Sequence, residues 1–110
     1  MRILRNHISF LLSILLIGAL LAGCNSAMQA YKDGIKKFDN GEYDLAINGL
    51  KKAAAANYEV DQTNYLIAES YRLSNRYQES IPFYKKLVES ENAHPEARYY
   101  YAYALKTNGN

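Results

Sequence analysis

The sequence predicts an all-α protein made of repeated helical hairpins. When the chain of 110 residues is shifted by 34 residues it aligns with itself, so that Tyr31 meets Tyr65 and Tyr99. Apolar residues also recur at helical spacing, as at Ile81 and Tyr84. A fixed period of this length is typical of stacked repeats, which are therefore the first architecture to test.

The N-terminal segment, residues 1–23, resembles a bacterial lipoprotein signal peptide. Residues 1–7 are basic, and residues 8–22 form an uncharged apolar run that is shorter than the roughly 20 residues a transmembrane helix needs. The run ends in LAGC at residues 21–24, which resembles the lipobox that is cut just before its cysteine. The resemblance implies that residues 24–26 form a lipidated N-terminus with acyl chains such as palmitate on Cys24. An uncleaved N-terminal membrane helix is the alternative.

The first hairpin is expected over residues 27–60, with helices near 27–39 and 43–56. Asn40 and Gly41 favour a turn between them because both tolerate the left-handed backbone that ends a helix. Asp33 and Lys37 predict that the first helix turns one side to solvent. The second hairpin is expected over residues 61–94, with helices near 61–74 and 77–91 around a turn at residues 74–76. Small residues predict close helix approach at positions 34, 46, 68 and 102.

The third repeat, residues 95–110, is incomplete and supplies one helix near 95–107. Tyr99, Tyr100, Tyr101 and Tyr103 point in several directions around it, so some of these rings need a partner. Stacked repeats need a polar terminal cap, which this helix lacks. We therefore expect a fragment of a longer protein. The alternative is a free-standing small lipoprotein whose last helix dimerises or caps a partner.

The 34-residue period and the segment GEYDLAI at residues 41–47 resemble the tetratricopeptide repeat, of which the chain holds about two and a half copies. The lipobox followed by YLIAESYRLSNRYQESIPFYKKLVE at residues 65–89 resembles the N-terminal region of Bacteroidetes OmpA-family lipoproteins, including one of type IX secretion and gliding. This resemblance implies a protein-interaction scaffold anchored in the outer membrane. No acidic run follows Cys24, which favours the periplasmic side.

In the tetratricopeptide family the first helix of each repeat lines a concave groove, and aromatic side chains with a polar end make good anchors for a protein partner. Matching positions imply that Ile35 and Phe38 also lie along the groove. The alternative for the tyrosines is core packing, which we expect for Tyr43, Tyr77 and Tyr84. The candidate partner-binding residues are Tyr31, Tyr65, Glu69, Arg72, Tyr99, Tyr103 and Lys106.

Charge and motifs argue against other classes of protein. Beyond the leader the chain has 11 basic and 11 acidic side chains, so it lacks the basic excess of a nucleic-acid-binding protein. His94 has no second His or Cys near it in sequence and is expected to be a turn residue rather than a metal ligand. Glu69 and Glu79 are expected on the surface. We predict no enzyme, no catalytic residue, no metal and no cofactor.

Overall fold

A computed structural model describes residues 1–91 and 94–109, with the side chains of residues 18–22 and 24 outside that description. The described residues form five helices in a row of antiparallel hairpins and contain no strand, which confirms the all-α, tetratricopeptide-like fold. The helices are α1 (Arg2–Asp39), α2 (Tyr43–Ala55), α3 (Val60–Leu73), α4 (Tyr77–Glu89) and α5 (Ala97–Thr107).

Helix α1 joins the leader and the first repeat helix, which the sequence analysis had separated, in one element of 38 residues. In its first half the large apolar side chains from Ile3 to Ile17 are exposed. Burial begins at Ala27, where α2 starts to cover the helix. Only the second half of α1 therefore takes part in the repeat stack.

The helices end where the sequence predicts left-handed residues. Gly41 has a φ of 75° and Asn75, 34 residues later, has a φ of 60°. After each of them a backbone N–H reaches back five residues, from Glu42 to the carbonyl of Lys37 at 2.9 Å and from Arg76 to that of Tyr71 at 2.8 Å. These bonds satisfy carbonyls that a helix end leaves unpaired, and the chain can then reverse.

The first hairpin closes through a glycine. A Cβ at Gly34 would lie 2.7 Å from Cγ of Leu50, so only hydrogen allows α1 and α2 to approach this closely. Ala46 and Ala68 are also fully buried, as their small size predicts. Ala102 is exposed instead, because no described helix covers that side of α5.

Of the three tyrosines expected in the core, only Tyr84 is fully buried. Tyr43 and Tyr77 are half-buried, so that expectation is wrong for them. Each is the first residue of its helix, beside the hairpin turn, and only one side of its ring is covered. Tyr43 packs against Phe38 with ring centroids 5.7 Å apart, and Tyr77 packs against Tyr103 at 5.6 Å.

Candidate functional site

The three tyrosines at equivalent repeat positions do not form one uniform row. Tyr31 and Tyr65 are half-buried, whereas Tyr99 is 68% exposed. Each ring has a different partner, and the ring-centroid distances differ. The partners of Tyr31, Tyr65 and Tyr99 are Tyr58 at 5.4 Å, His94 at 3.8 Å and Tyr100 at 5.3 Å, respectively.

Glu69 is buried, so its expected surface position is wrong. Arg72, one turn further along α3, donates to both carboxylate oxygens, with Nε 2.9 Å from Oε1 and Nη2 2.5 Å from Oε2. From α4, the hydroxyl of Tyr84 donates a short hydrogen bond to Oε1 as well. The carboxylate is therefore satisfied within the protein and is not a free anchor for a partner.

The pKa shifts agree with a charged pair beside a neutral phenol. Burial, followed by the hydrogen bond and the negative charge of Glu69, raises the pKa of Tyr84 above its ordinary value. The hydrogen bond to Glu69 raises the pKa of Arg72, against the opposing effect of burial. At neutral pH Arg72 is thus a cation held rigidly in place, and Tyr84 remains a hydrogen-bond donor.

The paired guanidinium also supports the next helix. Cζ of Arg72 lies 4.1 Å from the ring centroid of Tyr100 on α5, within the range of a cation–π contact. Tyr84 packs on the other side, with its ring centroid 6.2 Å from that of Tyr100. The network centred on Glu69 therefore fixes one ring of α5 over α3 and α4.

An open pocket of about 260 Å³ lies beside this ring. Three of its residues, Arg72, Tyr99 and Tyr103, belong to the predicted groove. Tyr103 is 45% exposed, so two rings of the pocket are in contact with solvent. We call this site the aromatic pocket; its lining residues are Arg72, Tyr77, Tyr99, Tyr100 and Tyr103.

Two residues of the aromatic pocket were not among the predicted site residues. Tyr77 had been assigned to the core, but its position at the start of α4 leaves one side of the ring open towards Tyr103. Tyr100 was known only as one of several adjacent tyrosines. The sequence signal for it was Arg72, since a guanidinium and an aromatic ring at neighbouring repeat positions favour stacking.

Tyr65 has a structural role in the present fold. Its ring stacks nearly parallel on His94, and its hydroxyl donates to Glu96 at 3.1 Å. Burial, together with the nearby charge of Glu69 and the hydrogen bond to Glu96, raises the pKa of Tyr65. Nδ1 of His94 is buried without a hydrogen-bond partner among the described atoms. These contacts join α3 to the start of α5.

The remaining predicted residues lie apart from the aromatic pocket. Tyr31 packs beside the core of the first hairpin, and Lys106 is exposed in the last turn of α5. Cys24 falls within α1, but its side chain lies outside the described part of the chain.

Residues that can bind a metal are not grouped. The described residues contain no cluster of three His, Cys, Asp or Glu side chains placed to hold an ion. As for the membrane, no helix in the described parts of the chain has both the length and the apolar character needed to cross a bilayer. Comparisons with protein-family models, curated proteins and solved structures found no match to this chain.

Proposed function

We propose that this chain is a membrane-anchored protein–protein interaction scaffold of the bacterial cell envelope. The observation that carries the proposal is the aromatic pocket at the end of the repeat stack, where Tyr99 and Tyr103 are exposed. Tyrosine offers a large apolar ring with few rotatable bonds and a hydroxyl that finds polar partners, and it is enriched at the energetic centres of protein interfaces.

The chemistry of the aromatic pocket favours binding over catalysis. Arg72 is already paired with Glu69, and the pKa of Tyr77 is raised by burial and by its neighbour Tyr103. General acid–base catalysis needs a group whose pKa lies near the working pH, and neither side chain provides one. We therefore propose a non-enzymatic role that uses no cofactor and no metal.

The membrane anchor in this proposal is lipid on Cys24. Its support is the lipobox-like LAGC at residues 21–24, preceded by a basic segment and an apolar run. Two or three acyl chains give stable membrane attachment, whereas one chain binds only marginally. Tethering raises the effective concentration of the repeats for a partner at the same membrane.

The proposal places the protein in the outer membrane, facing the periplasm, as the N-terminal part of an OmpA-family lipoprotein of type IX secretion and gliding. This more specific identity rests on the resemblance of residues 65–89 together with the lipobox. The repeats would then hold an envelope partner close to the membrane.

The anchor is tested by metabolic labelling with an alkyne analogue of palmitate. We expect the native chain to carry the label and to fractionate with membranes. Cys24→Ser should lose the label, whereas Ser26→Ala, two residues further on, should keep it. Equal labelling of Cys24→Ser and the native chain would contradict lipidation at this cysteine.

The aromatic pocket is tested with the double variant Tyr99→Ala, Tyr103→Ala. Both side chains are exposed enough to be truncated without opening the core. We expect loss of the proteins that co-purify with the native chain after detergent extraction, with an unchanged unfolding midpoint. Asn48→Ala, at an exposed position on α2, is the control and should co-purify them normally. Arg72 is unsuitable for this test because its loss leaves Glu69 buried and unpaired.

A further inference from the structure

The flank of α5 that faces away from the aromatic pocket is uncovered in the described structure. Ala97 and Ala104 are fully buried in the cluster that α5 shares with α4. At about 100° per residue, the tyrosines of the pocket lie to one side of this buried line and Tyr101, Ala102 and Leu105 lie to the other. Ala102 is exposed and the other two are half-buried. We call these three residues the open flank of α5.

Ala102 occupies the repeat position at which the two earlier hairpins close. The equivalent residues are Gly34 and Ala68. Leu50 of α2 lies so close to Gly34 that an added Cβ would clash. Ala68 is 0% exposed, in the same cluster as Tyr84 of α4. At both positions the small residue lies beneath a large side chain of the following helix, and at Ala102 that helix is missing among the described residues.

The two covering helices have the same pattern of buried residues. Each has a small residue, a large residue four positions later, and an apolar residue three positions after that. All six side chains are at most 1% exposed. They are Ala46, Leu50 and Ala53 in α2, and Ser80, Tyr84 and Leu87 in α4.

A second copy of the chain does not fit the open flank through its own α5. The spacing occurs on α5 at Ala97, Tyr101 and Ala104, but Ala97 and Ala104 are already fully buried beside α4. A pairing of two 11-residue helices also falls short of the roughly 1,200 Å² that stable interfaces bury.

We propose that the open flank of α5 binds an amphipathic helix of a partner protein. The helix runs antiparallel to α5 and has the buried pattern of α2 and α4, with its large residue over Ala102. It thereby continues the succession of helix contacts that runs from α1 to α5. This inference goes beyond the proposed function, because it concerns the flank opposite the aromatic pocket.

The test uses the full chain in detergent micelles and a labelled peptide that copies residues 76–90, stapled on its solvent-exposed side to keep it helical. Fluorescence polarisation should show saturable binding. The control peptide carries Ser80→Lys, Tyr84→Gln and Leu87→Gln and should bind at least tenfold more weakly. In the protein, Ala102→Arg should weaken binding of the first peptide at least tenfold. Ala102→Gly should retain binding, because glycine occupies the equivalent position 34.

Several outcomes would overturn the proposal. They are the absence of saturable binding, equal binding of the two peptides, and binding that Ala102→Arg leaves unchanged. A dimer in sedimentation that Ala102→Arg dissociates would assign the flank to a second copy. The variant Tyr99→Ala, Tyr103→Ala should still bind the peptide, so that failure of the aromatic pocket and failure of the open flank give different results.

Discussion

The two complete hairpins fill the same three positions with opposite chemistry. In the first hairpin the positions are apolar and pack against the core of α1 and α2. In the second hairpin, 34 residues later, they form an ion pair with a phenol bound to it. The residues are Ile35, Phe38 and Leu50 in the first hairpin, and Glu69, Arg72 and Tyr84 in the second.

This difference separates what builds a hairpin from what gives it a surface. Left-handed turn residues and small residues at close contacts are common to both hairpins. The layer between the helices can be apolar or polar, provided that every buried polar group has a partner. Only the polar layer presents a guanidinium to Tyr100, so only the second hairpin supports the aromatic pocket.

The largest effect is expected from breaking the polar layer. Glu69→Ala removes one partner of a buried pair and leaves Arg72 and Tyr84 without their acceptor. Losing one member of such a pair costs about 3 kcal/mol of unfolding free energy. Urea denaturation followed by circular dichroism measures it, and a loss below about 1 kcal/mol would contradict a buried network.

The matched control exchanges the chemistry of the whole layer. Glu69→Ile, Arg72→Phe and Tyr84→Leu together give the second hairpin the three residues of the first. Because well-packed apolar groups replace buried ion pairs with little or no cost, the triple variant should unfold within about 1.5 kcal/mol of the native chain. It should nevertheless lose partner binding at the aromatic pocket, since Tyr100 loses its support.

The next effect concerns the close contact of the first hairpin. Gly34→Val places atoms where Leu50 already lies, and overpacking of this kind costs about 1–3 kcal/mol. Denaturation of Gly34→Val, Leu50→Ala and the double variant forms a cycle. The two changes should couple, with the double variant more stable than the sum of the single losses predicts. Strict additivity would show that these side chains do not compete for space.

A smaller effect is expected from alkaline pH. The pKa values of Tyr65 and Tyr84 in the folded chain lie above the ordinary 10.0, mainly because of burial. Their contribution to stability is fully present below pH 10 and is lost as the pH rises towards the folded-state values. The urea midpoint should fall between pH 8 and pH 11. The fall should be smaller in Tyr84→Phe, and an equal fall would assign the effect to other groups.

The smallest effect is expected at the join between the second and third repeats. Tyr65→Phe keeps the stack on His94 and removes the hydrogen bond to Glu96, which is exposed. The expected loss is about 0.5 kcal/mol, the lower limit for such a bond. Tyr65→Leu also removes the stack and should lose more. Equal losses in the two variants would show that the stack contributes nothing.

The sequence predicted the hairpins closely, because repeat period and turn residues are local features. Helix α2 was expected at residues 43–56 and lies at Tyr43–Ala55, and the left-handed residues Gly41 and Asn75 explain the accuracy. The leader was not expected to continue into the first repeat helix. Apolar and helical residues follow one another there without a turn residue, and nothing in the sequence separates them.

The candidate site was predicted only in part, because it depends on contacts between repeats. Periodicity placed Arg72, Tyr99 and Tyr103 on one side of the stack but did not show that Glu69 is buried beneath Tyr84. A usable signal was present. At 34-residue spacing Leu50 becomes Tyr84 while Ile35 becomes Glu69, and such paired changes from apolar to polar are expected of residues in contact.

The most direct test of the partner-binding function is hydroxyl-radical footprinting of the tyrosines in intact membranes and in the detergent-purified chain. Tyr99 and Tyr103, now exposed, should react in the purified chain and become protected in membranes where the partner is present. Tyr43, half-buried on α2, should react equally in both and serves as the internal reference. Equal reactivity of Tyr99 and Tyr103 in both samples would contradict binding at the aromatic pocket.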